Sequence, residues 1–178
     1  QRWVAICSYS ALYAWQPESG RVITLTAQID APDALTERRG AAWSVDGRLL
    51  AGWGGRLAVW DSSQAQTPAQ VFDEAPEPGS SVSFAFWLPD NTLLAGWFGA
   101  GALGLHTVRW RAGTEGLEPV TLEPDVSEHV QVQAIYAPDV QTDAAHLLLW
   151  SSDGLLALYD ADGRQLAAAT VGGAGLNG

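Results

Sequence analysis

One five-residue segment occurs twice in this chain, and this repetition constrains the fold more than any other feature of the sequence. Leu-Leu-Ala-Gly-Trp at residues 49–53 returns unchanged at residues 93–97. A looser copy, Leu-Leu-Leu-Trp, stands at residues 147–150. Self-similarity at a regular spacing indicates that the chain uses one supersecondary unit several times.

The surroundings of the first copy predict that the unit contains a β-hairpin. An Asp-Gly turn at residues 46–47 precedes the first apolar run, and a Trp-Gly-Gly turn at 53–55 separates it from a second run that ends in Trp60-Asp61. Gly-containing turns between short apolar runs are typical of hairpins. A period of about 40 to 45 residues with four strands in each unit is typical of a propeller blade.

We therefore predict an all-β fold, a β-propeller of about four four-stranded antiparallel blades that is part of a larger propeller. Residues 1–178 form one domain, with blades at about residues 1–29, 40–73, 80–123 and 129–172 and a flexible tail at residues 173–178. A strand is predicted from Arg21 to Thr26, and a connecting loop over residues 30–39. Aromatic residues close the third strands of the units: Trp15, Trp60, Trp110 and Tyr159.

The closure of the ring is a separate question, because the first unit has three strand-like runs and each later unit has four. An open arc of blades would expose strand edges, which propellers normally protect by closing the ring. Three arrangements meet this requirement. The remaining blades lie outside these residues, which we favour, or two copies complete a ring by self-association, or the chain forms a small four-bladed ring with one incomplete blade.

The hairpins resemble those of the WD-repeat family. The Asp-Gly turn at 46–47, the Leu-Leu-Ala strand and the closing Trp60-Asp61 pair match its pattern, and residues 89–95 are similar. Gly52 and Gly96 stand where the family has Ser, so the resemblance implies blades without the family's hydrogen-bonded tetrad. The last unit, residues 154–164, and residues 11–21 are also similar to quinoprotein-type propellers. Both resemblances imply a propeller, whereas fold alone does not assign function.

Composition narrows the classes of partner. The chain has 20 acidic and 9 basic residues and a formal net charge of −11, which disfavours binding to nucleic acid. No apolar run approaches the roughly 18 residues of a membrane span. The single cysteine, Cys7, cannot form an internal disulfide, so cysteine usage leaves the compartment open. The absence of Met favours a piece of a longer chain.

Three tryptophans are the candidate binding residues. Trp53, Trp97 and Trp150 stand at corresponding ends of second strands and are expected to recur around one face of a propeller. Large rigid rings there could form a stacking platform for a peptide or a sugar. The alternative, which we favour, is that they pack as wedges between neighbouring blades.

No catalytic or metal-binding constellation is predicted. His106, His129 and His146 lie in different units, whereas zinc ligands usually cluster a few residues apart. Cys7 lies in an apolar strand, where we expect a buried structural thiol. We therefore predict no catalytic residues, no metal and no cofactor.

The sequence features are compatible with two functions. The first is a non-catalytic WD-like propeller scaffold that mediates protein–protein interaction or complex assembly, with a protein or the remaining blades of a larger chain as partner. The second is a quinoprotein-like or glycan-processing or glycan-binding propeller with a site in its central channel. The predicted innermost strands carry mainly Ser, Gln and aromatic residues rather than ionisable ones, which favours the first function.

Overall fold

Four antiparallel sheets contain most of the described residues in the computed structural model. The structure describes residues 3–8, 11–30, 39–64, 67–72, 80–98, 105–114, 116–123, 133–138 and 145–171. Sheet 1 contains three strands and sheets 2, 3 and 4 contain four each, always in chain order. The strands are β1 Val4–Cys7, β2 Leu12–Gln16, β3 Arg21–Thr24; β4 Gly40–Trp43, β5 Leu49–Trp53, β6 Leu57–Asp61, β7 Gln70–Phe72; β8 Ser81–Trp87, β9 Leu93–Phe98, β10 Leu105–Trp110, β11 Glu118–Val120; β12 Gln133–Pro138, β13 Ala145–Trp150, β14 Leu155–Asp160 and β15 Gln165–Thr170.

The sheets follow one another in the order of the chain. Strand β1 lies beside β4, β4 beside β8, and β8 beside β12. Each first strand thus contacts the first strand of the next sheet. Four antiparallel sheets packed in this way are consistent with blades of a propeller. The predicted all-β propeller fold is therefore confirmed.

Helical structure is confined to two short segments among the described residues, α1 at Thr26–Ile29 and a 3₁₀ turn at Ser62–Gln64. The predicted strand over residues 21–26 was wrong at its end, because Thr26 already belongs to α1. The Thr26 hydroxyl oxygen accepts a hydrogen bond from the Leu12 N–H at 3.0 Å, and the Asp30 N–H closes the turn on the Thr26 carbonyl at 3.1 Å. Within the described residues, no helix is long and apolar enough to cross a membrane.

The last unit was predicted to span residues 129–172, and its first described strand, β12, spans Gln133–Pro138. Residues 129–132, with His129, lie outside the described residues. Most of the loop predicted at 30–39 lies outside them as well, as does the tail predicted at 173–178.

Three apolar cores hold the stack together, one between each pair of successive sheets. Sheets 2 and 3 are covered on both faces, so their strands are apolar runs rather than alternating patterns: all of Leu57–Trp60 in β6 is buried. The core between sheets 1 and 2 contains Leu12, Ala14, Leu25, Ile29, Leu50, Ala58 and Trp60. The cores between sheets 2 and 3 and between sheets 3 and 4 are built in the same way.

Candidate functional site: an exposed face of sheet 1

The aromatic residues that close the third strands belong to a repeated packing position. Trp60, Trp110 and Tyr159 each point toward the preceding sheet and are buried in the core between the two sheets. Each pairs across strands with a leucine that is 1% exposed: Leu50, Leu93 and Leu147. In sheets 2, 3 and 4, the face that carries the aromatic residue is therefore covered by the preceding sheet.

Trp15 is the corresponding residue of sheet 1, and the described residues contain no sheet before it. It pairs with Val4 on one side and Val22 on the other, as Trp60 pairs with Leu50. Trp15 is 37% exposed, Val4 41% and Val22 57%. The same kind of side chain thus stands in the same place in all four sheets, but only in sheet 1 does it face outward.

The described residues of this exposed face of sheet 1 carry no charge. Val4, Trp15 and Val22 form one cross-strand row, and Ile6, Tyr13 and Thr24 form the next. Ile6 is 44% exposed and Tyr13 is partly exposed. In a chain with 20 acidic and 9 basic residues, an uncharged face of this kind is a departure from the surface average. A contiguous exposed apolar patch marks an interaction surface.

Sheet 1 has one strand fewer than the other sheets. Trp15 lies in β2, the second of its three strands, whereas Trp60, Trp110 and Tyr159 lie in the third strands of their sheets. The correspondence therefore concerns the cross-strand pairing and the direction of the aromatic side chain.

The last sheet has an open face at the other end of the stack, which we call the outer face of sheet 4. Trp150, Leu156 and Ala169 form one cross-strand row, and Leu148, Leu158 and Ala167 form the next. Leu156 is 37% exposed, while Trp150, Leu148 and Leu158 are half-buried and both alanines are exposed. This face is apolar in its two central rows.

The three candidate tryptophans occupy different environments. Trp97 is buried in the core between sheets 2 and 3. Trp53 is half-buried, and its indole lies where a Cβ on Gly40 would be. Trp150 lies on the outer face of sheet 4. A shared binding role stays a prediction, and for Trp97 it would require the ring to leave the core.

The two glycines of the repeated segment lie where a larger side chain does not fit. A Cβ on Gly52 would overlap the side chains of Leu12 and Trp60, and a Cβ on Gly96 would overlap the Phe84 ring. A Ser hydroxyl therefore has no space at either position. The Trp60 Nε1 atom is buried without a hydrogen-bond partner among the described residues.

The polar groups of the described residues are engaged in turns and surface pairs. Ser44 donates to the Asp46 carboxylate at 2.6 Å, and this bond, followed by one from the Arg48 backbone N–H, holds the pKa of Asp46 below its usual range. The Ser63 hydroxyl and backbone N–H lower the pKa of Asp61 in the same way. These carboxylates stay ionised at neutral pH and act as turn caps.

A groove of about 300 Å³ lies between sheets 3 and 4, with Arg109 on its wall. The Arg109 guanidinium pairs with Glu118 at 2.9 Å and with Asp162 at 3.4 Å, so both acids balance its charge. Two backbone segments that line the groove are hydrogen-bonded to each other, because the Glu123 N–H donates to the Gly163 carbonyl at 2.8 Å. We regard the groove as a joint between blades.

No catalytic or metal-binding cluster forms within the part of the chain that the structure describes. No group of three or more His, Cys, Asp or Glu side chains there could hold a metal ion. The expectation that Cys7 is buried was wrong: it is exposed, because it ends β1 at the open edge of sheet 1. Partial burial still raises the pKa of the Cys7 thiol, which disfavours the reactive thiolate.

Comparison with known proteins gives the fold. No family model matches the chain, and no curated protein matches it. Among solved structures it is similar to the extracellular domain of a hybrid two-component system from B. thetaiotaomicron, with a TM-score of 0.57 and 14% identity over 95% of this chain. It is also similar to TolB from Acinetobacter baumannii, with a TM-score of 0.51 and 11% identity over 92% of the chain. The chain spans 21% and 38% of their lengths, and both have propeller-like folds.

Proposed function

We propose that this chain is a non-catalytic interaction module, built from degenerate WD-like or quinoprotein-like blades, that binds another protein through the exposed face of sheet 1. The observation that carries the proposal is the position of Trp15. Side chains at the corresponding positions of the other three sheets are buried against a protein surface, and Trp15 is available for the same contact.

The chemistry of the face supports a protein partner. Valine, isoleucine and aromatic side chains offer apolar area, and Trp and Tyr are common anchors of binding hot spots. The described residues of the face are uncharged, which disfavours a phosphate-bearing or strongly ionic ligand. A propeller enzyme with a channel site is the alternative, and the polar contacts described above do not favour it, since they stabilise turns and inter-sheet joints.

Site-specific photo-crosslinking tests this function in cells that make the protein. A benzophenone amino acid at position 13, which lies on the exposed face, is expected to give a discrete protein adduct on irradiation. The same probe at Val45, which is 67% exposed in a turn of sheet 2, is the control. If the two positions give the same adducts, or position 13 gives none, the proposed function is wrong.

A further inference from the structure

We propose that the Asp162-Gly163 pair is a modification site, at which aspartate isomerises spontaneously to isoaspartate and loosens the joint between sheets 3 and 4. This inference is independent of the proposed function. Asp-Gly pairs are prone to the reaction because glycine has no side chain to hinder the approach of its nitrogen to the carboxyl carbon. The chain contains three such pairs, at residues 46–47, 153–154 and 162–163. The structure gives them different surroundings.

The reaction consumes no reagent other than water and proceeds in two steps. In the first step, the Gly163 amide nitrogen forms a bond to Cγ of the Asp162 carboxyl group. The hydroxyl of that carboxyl group leaves with the amide proton as water, and a cyclic imide remains. In the second step, water opens the ring. Cleavage of the bond between the nitrogen and Cγ restores aspartate, whereas cleavage of the other imide bond leaves Cγ in the main chain as isoaspartate.

The carboxylates of the first two pairs are held by hydrogen bonds within their own turns. The carboxylate of Asp46 accepts the Ser44 hydroxyl at 2.6 Å and the Arg48 backbone N–H at 3.0 Å. The carboxylate of Asp153 accepts the Ser151 hydroxyl. These hydrogen bonds must break before Cγ can turn toward the glycine nitrogen, and hydrogen bonds to charged groups are among the stronger ones. The reaction should therefore be slow at both pairs.

The turn at residues 160–164, which the structure describes completely, is capped by a different aspartate. The Asp160 carboxylate accepts the backbone N–H groups of Asp162 at 3.0 Å and of Arg164 at 2.9 Å. The Asp162 carboxylate accepts no hydrogen bond from this turn, and its partner is the Arg109 guanidinium of sheet 3 at 3.4 Å. The Asp162 side chain is 70% exposed, and a surface ion pair of this kind contributes little stability. Asp162 is therefore the least restrained of the three carboxylates.

Isomerisation at this pair would act directly on the contact between the two sheets. Gly163 has a φ of +85° and lies against the Thr121 carbonyl oxygen. Its own carbonyl accepts the Glu123 N–H at 2.8 Å. Isoaspartate lengthens the main chain by one carbon immediately before Gly163, so this glycine cannot keep both its position against Thr121 and its hydrogen bond to Glu123. The modification should therefore lower the stability of the joint.

Peptide mapping of the aged protein tests which pair reacts. The purified chain is kept at neutral pH and physiological temperature, and isoaspartate is measured by electron-transfer mass spectrometry, which distinguishes it from aspartate of the same mass. We expect isoaspartate to form about tenfold faster at residue 162 than at residues 46 and 153, because only the latter two carboxylates must break hydrogen bonds within their turns. Short peptides that contain each pair provide the unfolded reference rates. If the folded chain slows residue 162 as much as residue 46, relative to these peptides, the proposal is overturned.

Two variants separate the cause from its effect. Ser44→Ala removes one hydrogen bond to Asp46 and should raise the rate at residue 46 severalfold without changing the rate at residue 162. An unchanged rate at residue 46 would show that the hydrogen bond does not protect the carboxylate, which would overturn the argument. Asp162→Glu keeps the negative charge, but its longer side chain would have to close a larger ring, so it should not be modified.

The effect on the joint is measured on the same aged samples. Brief proteolysis in urea near the unfolding midpoint digests unfolded molecules and spares folded ones. The wild-type molecules that survive should contain severalfold less isoaspartate at residue 162 than the undigested sample, and aged Asp162→Glu should keep its original urea midpoint. Equal isoaspartate content in the surviving and undigested wild-type chains would show that the modification does not loosen the joint, and the proposal would fail.

Discussion

A close backbone contact joins sheets 3 and 4 at Gly163, and replacing this glycine tests how much that contact stabilises the packing of the two sheets. Gly163 has a φ of +85°, and a Cβ built on it would overlap the Thr121 carbonyl oxygen of the neighbouring sheet. The Gly163 carbonyl accepts the Glu123 N–H at 2.8 Å, and the Gln165 N–H donates to the Glu123 carbonyl at 3.0 Å. Gly163→Ala must strain the turn and separate these two segments.

The magnitude has two parts. Placing a Cβ residue in the left-handed region costs about 1 to 2 kcal/mol. Forcing a methyl group against packed backbone costs about 1 to 3 kcal/mol more. Gly163→Ala should therefore lower the free energy of unfolding by about 2 to 5 kcal/mol, summed from these two terms.

Gly20 offers a matched control, because it has a φ of +70° and nothing within 4 Å of a Cβ built on it. Gly20→Ala should show the backbone strain alone, about 1 to 2 kcal/mol. Urea denaturation followed by tryptophan fluorescence measures both variants. If the two substitutions cost the same, the contact between Gly163 and Thr121 does not stabilise the joint, and the reasoning fails.

Three further predictions concern the cores and the turns. Trp87→Phe should cost about 2 to 3 kcal/mol in urea unfolding, because the Nε1–H bond of 2.9 Å to a carbonyl of sheet 2 is lost and a cavity remains. Gly96→Ala should cost about 1 to 3 kcal/mol by overpacking against Phe84, and a neutral result would contradict the close approach. Because hydrogen bonds from Ser44 and the neighbouring backbone lower the pKa of Asp46, its stabilising effect is present above about pH 4 and is lost as the pH falls through the folded-state pKa. Asp46→Asn removes this titrating group, so the variant should lose less stability than the wild type between neutral and acid pH. If the pH profile of unfolding is the same in both, this prediction is wrong.

Much of the fold could be predicted because its signals are local. Asp-Gly turns and short apolar runs define hairpins within about ten residues, so strands such as β5 and β6 were predicted to within one residue. The end of β3 was missed because Thr26 is fixed by Leu12 on another strand. A hydrogen bond between distant segments leaves no local pattern.

The candidate surface could be predicted only in part. The sequence spacing placed Trp15 with Trp60, Trp110 and Tyr159, which is the repeat on which the correspondence depends. It did not single out Val4 or Val22, since β-branched residues are equally typical of buried and exposed strands. It also gave Trp53, Trp97 and Trp150 equal weight, although the structure buries Trp97 and leaves the other two partly exposed.

The sequence by itself determined the repeating hairpin and an all-β fold of about four sheets. Only the tertiary structure decided which apolar residues are covered. Leu50 and Val4 occupy corresponding positions, yet one is 1% and the other 41% exposed. The physical reason is that burial depends on the neighbouring sheet as well as on the residue, and that sheet is distant in the chain or belongs to another molecule.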